Sequence, residues 1–286
     1  MRTSAALLIG FLGTMVYPMP RFFSSPWEQN YIKSAAEKSD SLLFIEKYKL
    51  AAGTSNNPAK ALAVAQSFLG DPYVHGCLEC EKEERLVVHL RDMDCWTLVE
   101  NSVAIALTHR ESYEEYLATL QNLRYWGGKI EGYGSRIHYF SGWLLQAEKL
   151  GLLQDMTASL GGIPYDKKIG YISARPAKYP KIEDKKVLRE IQNTEKRINA
   201  HSWHYIPKNR IPNMEQFIQE GDIICLTSVK SDLDIAHQGF AIKRNGRVYL
   251  LHASSLAGKV IIARQPLAQY VDSQRGQSGI MVIRLL

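Results

Sequence analysis

Ile235-Ala236-His237-Gln238-Gly239-Phe240-Ala241-Ile242-Lys243-Arg244-Asn245-Gly246-Arg247-Val248-Tyr249-Leu250-Leu251-His252-Ala253-Ser254 reads as a β-hairpin. Two apolar, strand-like runs flank Asn-Gly, the strongest short-range hairpin signal, because both residues tolerate the positive φ of a type I′ turn. With a two-residue turn, Arg244 faces Arg247 and paired residue numbers sum to 491. His237 then lies opposite Ser254 and His252 opposite Gly239. The two histidines become diagonal neighbours on one face, with Cα atoms roughly 7–8 Å apart, close enough for their rings to meet. A three-residue bulged turn would change the parity and separate them. Further strand-like runs begin at Glu220, whereas the first half of the chain carries helical patterns. The expected class is therefore α+β, with a helical N-terminal half and an antiparallel C-terminal sheet.

The second informative stretch is Asp94-Cys95-Trp96-Thr97-Leu98-Val99-Glu100. Asp94 is a good N-cap, since its carboxylate can accept from the free amides of a first turn. Val99, Ser102, Val103 and Ala106 share a stripe with Cys95 at helical spacing, so a helix is expected from Cys95 to about Thr108. A thiol in that first turn meets the positive end of the helix dipole. The expectation is a lowered pKa and a larger thiolate fraction, and the thiolate is the nucleophilic form. The competing reading is a small buried hydrophobe at the start of a core helix. Two histidines on one strand face tip the balance. A cysteine with a base and a group that orients the base is the composition of a thiol acyl-transfer site: Cys95, His237 and His252.

Other residues fall around this set. Arg136 is a candidate to grip a substrate carboxylate in bidentate fashion. His138 and Tyr139 are candidates to stack on a substrate, with ordinary packing as the competing reading. Asp94 and Ser254, beside the nucleophile and opposite His237, are counted with the substrate-binding group. Cys225 lies in a buried strand-like run and reads as core. Cys77 and Cys80, in Cys-Leu-Glu-Cys, leave two options open, a small disulfide or half of a zinc site with His75 and His89. Neither a metal nor another cofactor is called for, because nucleophile, base and orienter already account for amide hydrolysis.

The constellation resembles the NlpC-type papain-like cell-wall hydrolases, in which an Asp-Cys helix start is followed by a histidine on one strand and a polar residue on the next. Leu69-Gly70-Asp71-Pro72-Tyr73-Val74-His75-Gly76 is similar to the Gly-x-Pro-Tyr-x-x-Gly segment preceding that cysteine. A narrower resemblance is to the N-acetylmuramoyl-L-alanine amidase-like family. It is carried by 84–95, by Tyr133-Gly134-Ser135-Arg136-Ile137-His138-Tyr139-Phe140-Ser141 and by the hairpin, and runs from about residue 60 to the C-terminus. Trp96 and Gln238 depart from the usual small residue and valine. The resemblance implies a papain-like core, a peptidoglycan or muropeptide substrate, cleavage of the N-acetylmuramoyl-L-alanine bond through a thioester, and Tyr73 near the developing oxyanion. Alternatives kept open are a stem-peptide endopeptidase, an acyltransferase with the same triad, and a non-catalytic binder of cell-wall fragments.

Composition agrees. The chain has 286 residues, 45% of them hydrophobic, and a formal charge of +6 without a basic stripe, so no nucleic-acid partner is expected. Arg2 and the apolar run 5–16 read as an export signal or an uncleaved anchor, too short for a comfortable membrane span. The expected layout is a signal or anchor at 1–24 and a single papain-like amidase domain at 25–286, with an insertion at about 110–215. The expected location is periplasmic or secreted, with any membrane contact confined to that N-terminal segment.

Overall fold

The computed structural model describes residues 40–79, 83–182 and 184–286. The apolar run 5–16 and Cys80 lie outside the described residues. By their internal contacts Ser39–Leu286 form one compact unit.

The hairpin forms in the expected register. Asn245 (φ 49°) and Gly246 (φ 75°) occupy the left-handed region that a two-residue turn requires, and Arg244 pairs with Arg247. Strands β5 (Ile235–Arg244) and β6 (Arg247–Ser254) belong to an antiparallel sheet with β1 (Leu153–Asp155), β2 (Ile163–Pro164), β3 (His204–Pro207), β4 (Ile223–Ser228), β7 (Lys259–Ile262) and β8 (Gln277–Leu285). The strand order is β2-β3-β8-β4-β5-β6-β7, and β1 also pairs with β8. The short strands β1 and β3 thus share the outer edge of β8.

Period-2 alternation sorts the sheet residues between two cores. Ile223, Cys225, Phe240, Ile242, Met281 and Ile283 face the helical layer. Ile224, Leu226, Ala241 and Val282 face a second, smaller core with Ile211, Ile218, Leu267 and Val271. Both faces are covered, which is why β4 is buried along its whole length. Cys225 takes the core position expected of it, at 0% exposure.

The helical layer comprises α1 (described from 40 to 52), α2 (Asn57–Ser67), α3 (Cys95–Ala106), α4 (Tyr113–Arg124), α5 (Phe140–Lys149) and α6 (Lys185–Asn199). The one-turn α7 (Ile211–Met214) and α8 (Leu267–Ser273) lie against the opposite core. Helix α3 is the pivot. It is buried from Thr97 to Ala106 on all sides, with α2 and α4 beside it and β5 and β6 beneath it. Sequence periodicity implies a single buried stripe; the enclosed environment buries the polar Glu100, Asn101 and Ser102 as well. Glu100 is paired with Arg124, and Asn101 accepts from the Tyr116 hydroxyl at 3.0 Å.

Residues 110–215 do not stand apart from the sheet. They supply α4, α5 and α6 to the helical layer and β1 to β3 to the sheet edge. Within this expected insertion, Asp184 caps the fifteen-residue helix α6, and Ile191 and Ile198 bury in the main core. Among the described residues no helix is long and apolar enough to cross a membrane.

Candidate active site

The start of α3 is held by a capping box. The Asp94 carboxylate accepts from Thr97 N at 2.9 Å, and the Thr97 hydroxyl accepts from Asp94 N at 3.0 Å. Upstream, Met93 N donates to Pro72 O and Val74 N to Met93 O, each at 3.1 Å. This short bridge fastens Tyr73 beside the cap. Cys95, the first helical residue, is partly exposed and lines a small cleft of 170 Å³ with Trp96, His138, Phe140, Asp234 and His237.

The thiol is not acidified. Burial pushes Cys95 up to about 12, and the Asp94 charge adds to the rise. The backbone N–H groups of Gln238, Cys95 and Trp96 favour the thiolate, as a helix N-terminus should, but by less. The lowered pKa expected from the helix dipole is thereby corrected, because desolvation outweighs the dipole when the sulfur is largely enclosed. Tyr73 feels the same enclosure. Burial, then the charges of Cys95 and Asp94, raise its hydroxyl to about 12.

The two hairpin histidines meet. His237 Nε2 lies 2.7 Å from His252 Nδ1, and the rings stand nearly perpendicular at 85°, with centroids 4.8 Å apart. Two backbone features allow this. The β4–β5 register shifts between Leu226, opposite His237, and Thr227, opposite Ile235, so Ala236 bulges out just before the histidine. At Gly239 a Cβ would crowd the Leu251 carbonyl and lie 2.9 Å from His252 Cβ, so only glycine lets β6 approach this closely. Burial holds His237 down at about 4; burial and then the neighbouring His237 hold His252 down at about 3. Both rings are neutral at pH 7. His252 is 2% exposed, and its Nε2 is buried without a hydrogen-bond partner among the described residues.

The other expected site residues divide. His138 reaches the Cys95 cleft, but its Nε2 is 2.8 Å from Tyr133 O and its ring packs tilted against Tyr133, with centroids 4.3 Å apart. Burial, then the Arg136 charge, lower its pKa to about 3. Arg136 is 4% exposed and ion-paired with Glu79 and Glu84. Tyr139 is 2% exposed, donates to Glu195 at 2.7 Å and accepts from Ile172 N at 2.7 Å. Neither Arg136 nor Tyr139 is among the residues lining the Cys95 cleft. Their polar atoms tie the loop before α5 to Leu78, Glu79 and Glu84 and to Glu195 on α6, so the expectation that they meet substrate is replaced by contacts within the fold. Ser254 lines a second, larger cleft behind the histidines and accepts from Ala257 N at 3.1 Å.

Asp234 and Tyr270 carry no local sequence signal, and Gln238 carries only its departure from the usual valine. Asp234, 2% exposed, accepts from Ser141 N at 2.9 Å and so ties the start of α5 to the start of β5; burial raises its carboxyl pKa. Gln238 is 3% exposed, with Oε1 unpartnered. Tyr270 on α8 packs its ring 5.3 Å from His252. A capping acid 93 residues from the amide it caps cannot be found by any i, i+3 rule; only the fold brings it there. Among the described residues no cluster of three or more His, Cys, Asp or Glu is arranged to hold a metal ion.

A thiol, a bonded imidazole pair and two clefts that His237 lines form a set suited to transferring an acyl group. The chain belongs to the AmiA-like, N-acetylmuramoyl-L-alanine amidase-like family, whose model matches residues 63–280, running through the 110–215 segment. It is therefore a member of an amidase-like hydrolase family with a peptidoglycan-type substrate. Among solved structures it is similar to an N-acetylmuramoyl-L-alanine amidase from Bacteroides uniformis, with 32% identity, a TM-score of 0.77, and coverage of 81% of this chain and 100% of that one. A Bacteroides fragilis protein described as a candidate xylanase is 35% identical, with a TM-score of 0.73 over 77% of this chain and 98% of that one. A Legionella pneumophila protein shares the fold at 23% identity, with a TM-score of 0.71 over 88% and 96% of the two chains. Against the curated proteins the chain has no match.

Proposed function

We propose that this chain is a cysteine-dependent amidase that cuts the bond between N-acetylmuramic acid and L-alanine, using Cys95, His237 and His252 on an NlpC-type papain-like plan. The observation that carries the reading is the 2.7 Å bond between His237 and His252, made by a residue that shares a cleft with Cys95. In the productive tautomer His237 donates from Nε2 to His252 Nδ1, which leaves the lone pair of His237 Nδ1 for the thiol proton. The resting pair is neutral. The thiol proton therefore moves to His237 as sulfur attacks the amide carbonyl, and no standing thiolate is required.

The C–N bond then breaks as His237 returns that proton to the leaving nitrogen. Water, deprotonated by His237, attacks the thioester, and the muramoyl acid leaves as the thiol is restored. The backbone N–H of Cys95 and the Tyr73 hydroxyl are the donors proposed for the developing oxyanion. A glycosidase reading would need two carboxyl groups across the bond. Among the described residues lining the cleft, Asp234 is the one carboxyl, and it is engaged by Ser141. We also assign the enzyme to the periplasm or the exterior, with residues 1–24 as signal or anchor.

The deciding experiment is mass spectrometry of products from a defined N-acetylmuramoyl-peptide. Release of intact peptide with a free L-alanine amine is expected, with no release by Cys95→Ala. Cleavage within the peptide would make the protein an endopeptidase, and binding without turnover would make it a receptor for wall fragments.

A further inference from the structure

We infer that the 690 Å³ cleft behind the histidine pair receives the leaving peptide, and that Arg264 selects it by pairing with a peptide carboxylate. The inference rests on the amidase reading above. Its geometric basis is that His237 lines both clefts, the small one with Cys95 and the large one with His252. The acyl carbon must sit on the Cys95 sulfur, so the acyl group remains on the Cys95 side. The leaving nitrogen must come within about 2.6–3.2 Å of the imidazole that protonates it. The leaving group therefore crosses His237 and continues into the space beyond.

The chemistry of the two spaces fits that division. The small cleft offers Trp96, Phe140 and His138, flat surfaces for an uncharged sugar amide, and no lysine or arginine among its described lining residues. The large cleft is walled by Ser254, Tyr270, Gln274 and Gln277, and among the described residues lining it the one charged side chain is Arg264. That guanidinium is exposed and makes no ion pair or hydrogen bond with a described residue. A peptide released from a muramoyl group carries at least its C-terminal carboxylate, which a guanidinium grips with two parallel hydrogen bonds.

A second observation points to a polar chain in this space. His252 Nε2 and Gln277 Oε1 belong to lining residues, and both atoms are buried without a partner among the described residues. Buried polar atoms are normally satisfied, and orphans of opposite type in one cleft mark where a ligand completes them. A peptide supplies both complements, a carbonyl for the His252 N–H and an amide N–H for Gln277.

The test uses an L-alanine-led tripeptide with free carboxylates and the same tripeptide with its carboxylates amidated. Calorimetry on Cys95→Ala protein reads binding without turnover. The free-carboxylate peptide should bind about tenfold more tightly than the amidated one, and Arg264→Gln should abolish the difference while Arg264→Lys keeps part of it. In the active enzyme, Arg264→Gln should raise KM for the muramoyl-peptide about tenfold with kcat nearly unchanged, the mark of binding lost equally in ground and transition states. No binding of either peptide, or equal discrimination with and without Arg264, would overturn the assignment. The outcomes separate from the parent reading. Peptide binding that depends on Arg264 but comes with cleavage at another bond would leave the cleft standing and remove the amidase.

Discussion

Strand β4 begins beside one buried polar pair and ends beside another, and the two are opposites. At its start, Asp222 is wholly buried, and each carboxylate oxygen receives a 2.8 Å bond from Arg284, with Gln219 N adding a third at 2.8 Å. At its end, Leu226 faces His237, whose bond to His252 leaves His252 Nε2 unpartnered, while the neighbouring Gln238 Oε1 is also orphaned. The first pair is complete and has nothing to offer a ligand. The second is enclosed enough to keep both rings neutral, yet unfinished. Satisfied polar burial holds a fold together; unsatisfied polar burial beside a cleft is where chemistry can be done.

The strongest way to break this comparison is to remove groups from the unfinished end. Cys95→Ala and His237→Ala should each lower turnover by about 10³-fold or more, with the urea midpoint little changed. Product release and equilibrium unfolding measured on the same preparations check this. Near-parent rates from either variant would refute the assignment of nucleophile or base.

At the finished end the effects should reverse. Asp222→Ala strands the Arg284 guanidinium and frees Gln219 N, and should cost about 3–5 kcal/mol of stability. Molecules that remain folded should keep the parent kcat. A drop in kcat at full occupancy of the folded state would show that the two ends of β4 are coupled.

His252→Gln sharpens the contrast, since an amide can still accept from His237. A loss of about 10- to 100-fold is expected, well short of His237→Ala. Equal losses from both would mean that His252 does more than orient.

The smallest effect is on the pH dependence of stability. His252 takes a proton near 6.5 when unfolded but only near 3 when folded, and His237 only near 4. Between those values the unfolded chain binds protons that the folded chain refuses. Stability is therefore full above pH 6.5 and falls as pH drops, by up to about 1.4 kcal/mol per pH unit for the buried His252. Urea midpoints at pH 7 and pH 5 should show the decline, and His252→Gln should recover part of it. A flat profile would mean that the rings titrate in the fold as they do in the unfolded chain.

Much of this arrangement was legible in the chain. Asn245-Gly246 set the hairpin parity, and parity set the meeting of His237 with His252. Asp94 marked the start of α3, and the helix ends at Ala106, within two residues of where its pattern does. Strands β1, β2 and β3 were not legible, because two to four residues carry no period. Helix α6 was hidden by its charged composition, although Asp184 stood at its cap. Asp234 and Tyr270 had no local cue at all.

What the sequence by itself determined are the features governed by near neighbours: turn type, helix cap, alternation of faces, and hence which residues could meet. Those rules act over a few residues or across one ladder. The tertiary structure decided the chemistry of the meeting. It raised the Cys95 thiol when the helix dipole alone would have lowered it, turned Arg136 and Tyr139 into internal ties, and set two unlike clefts on either side of His237. Desolvation depends on everything packed around a group, and no local pattern records that.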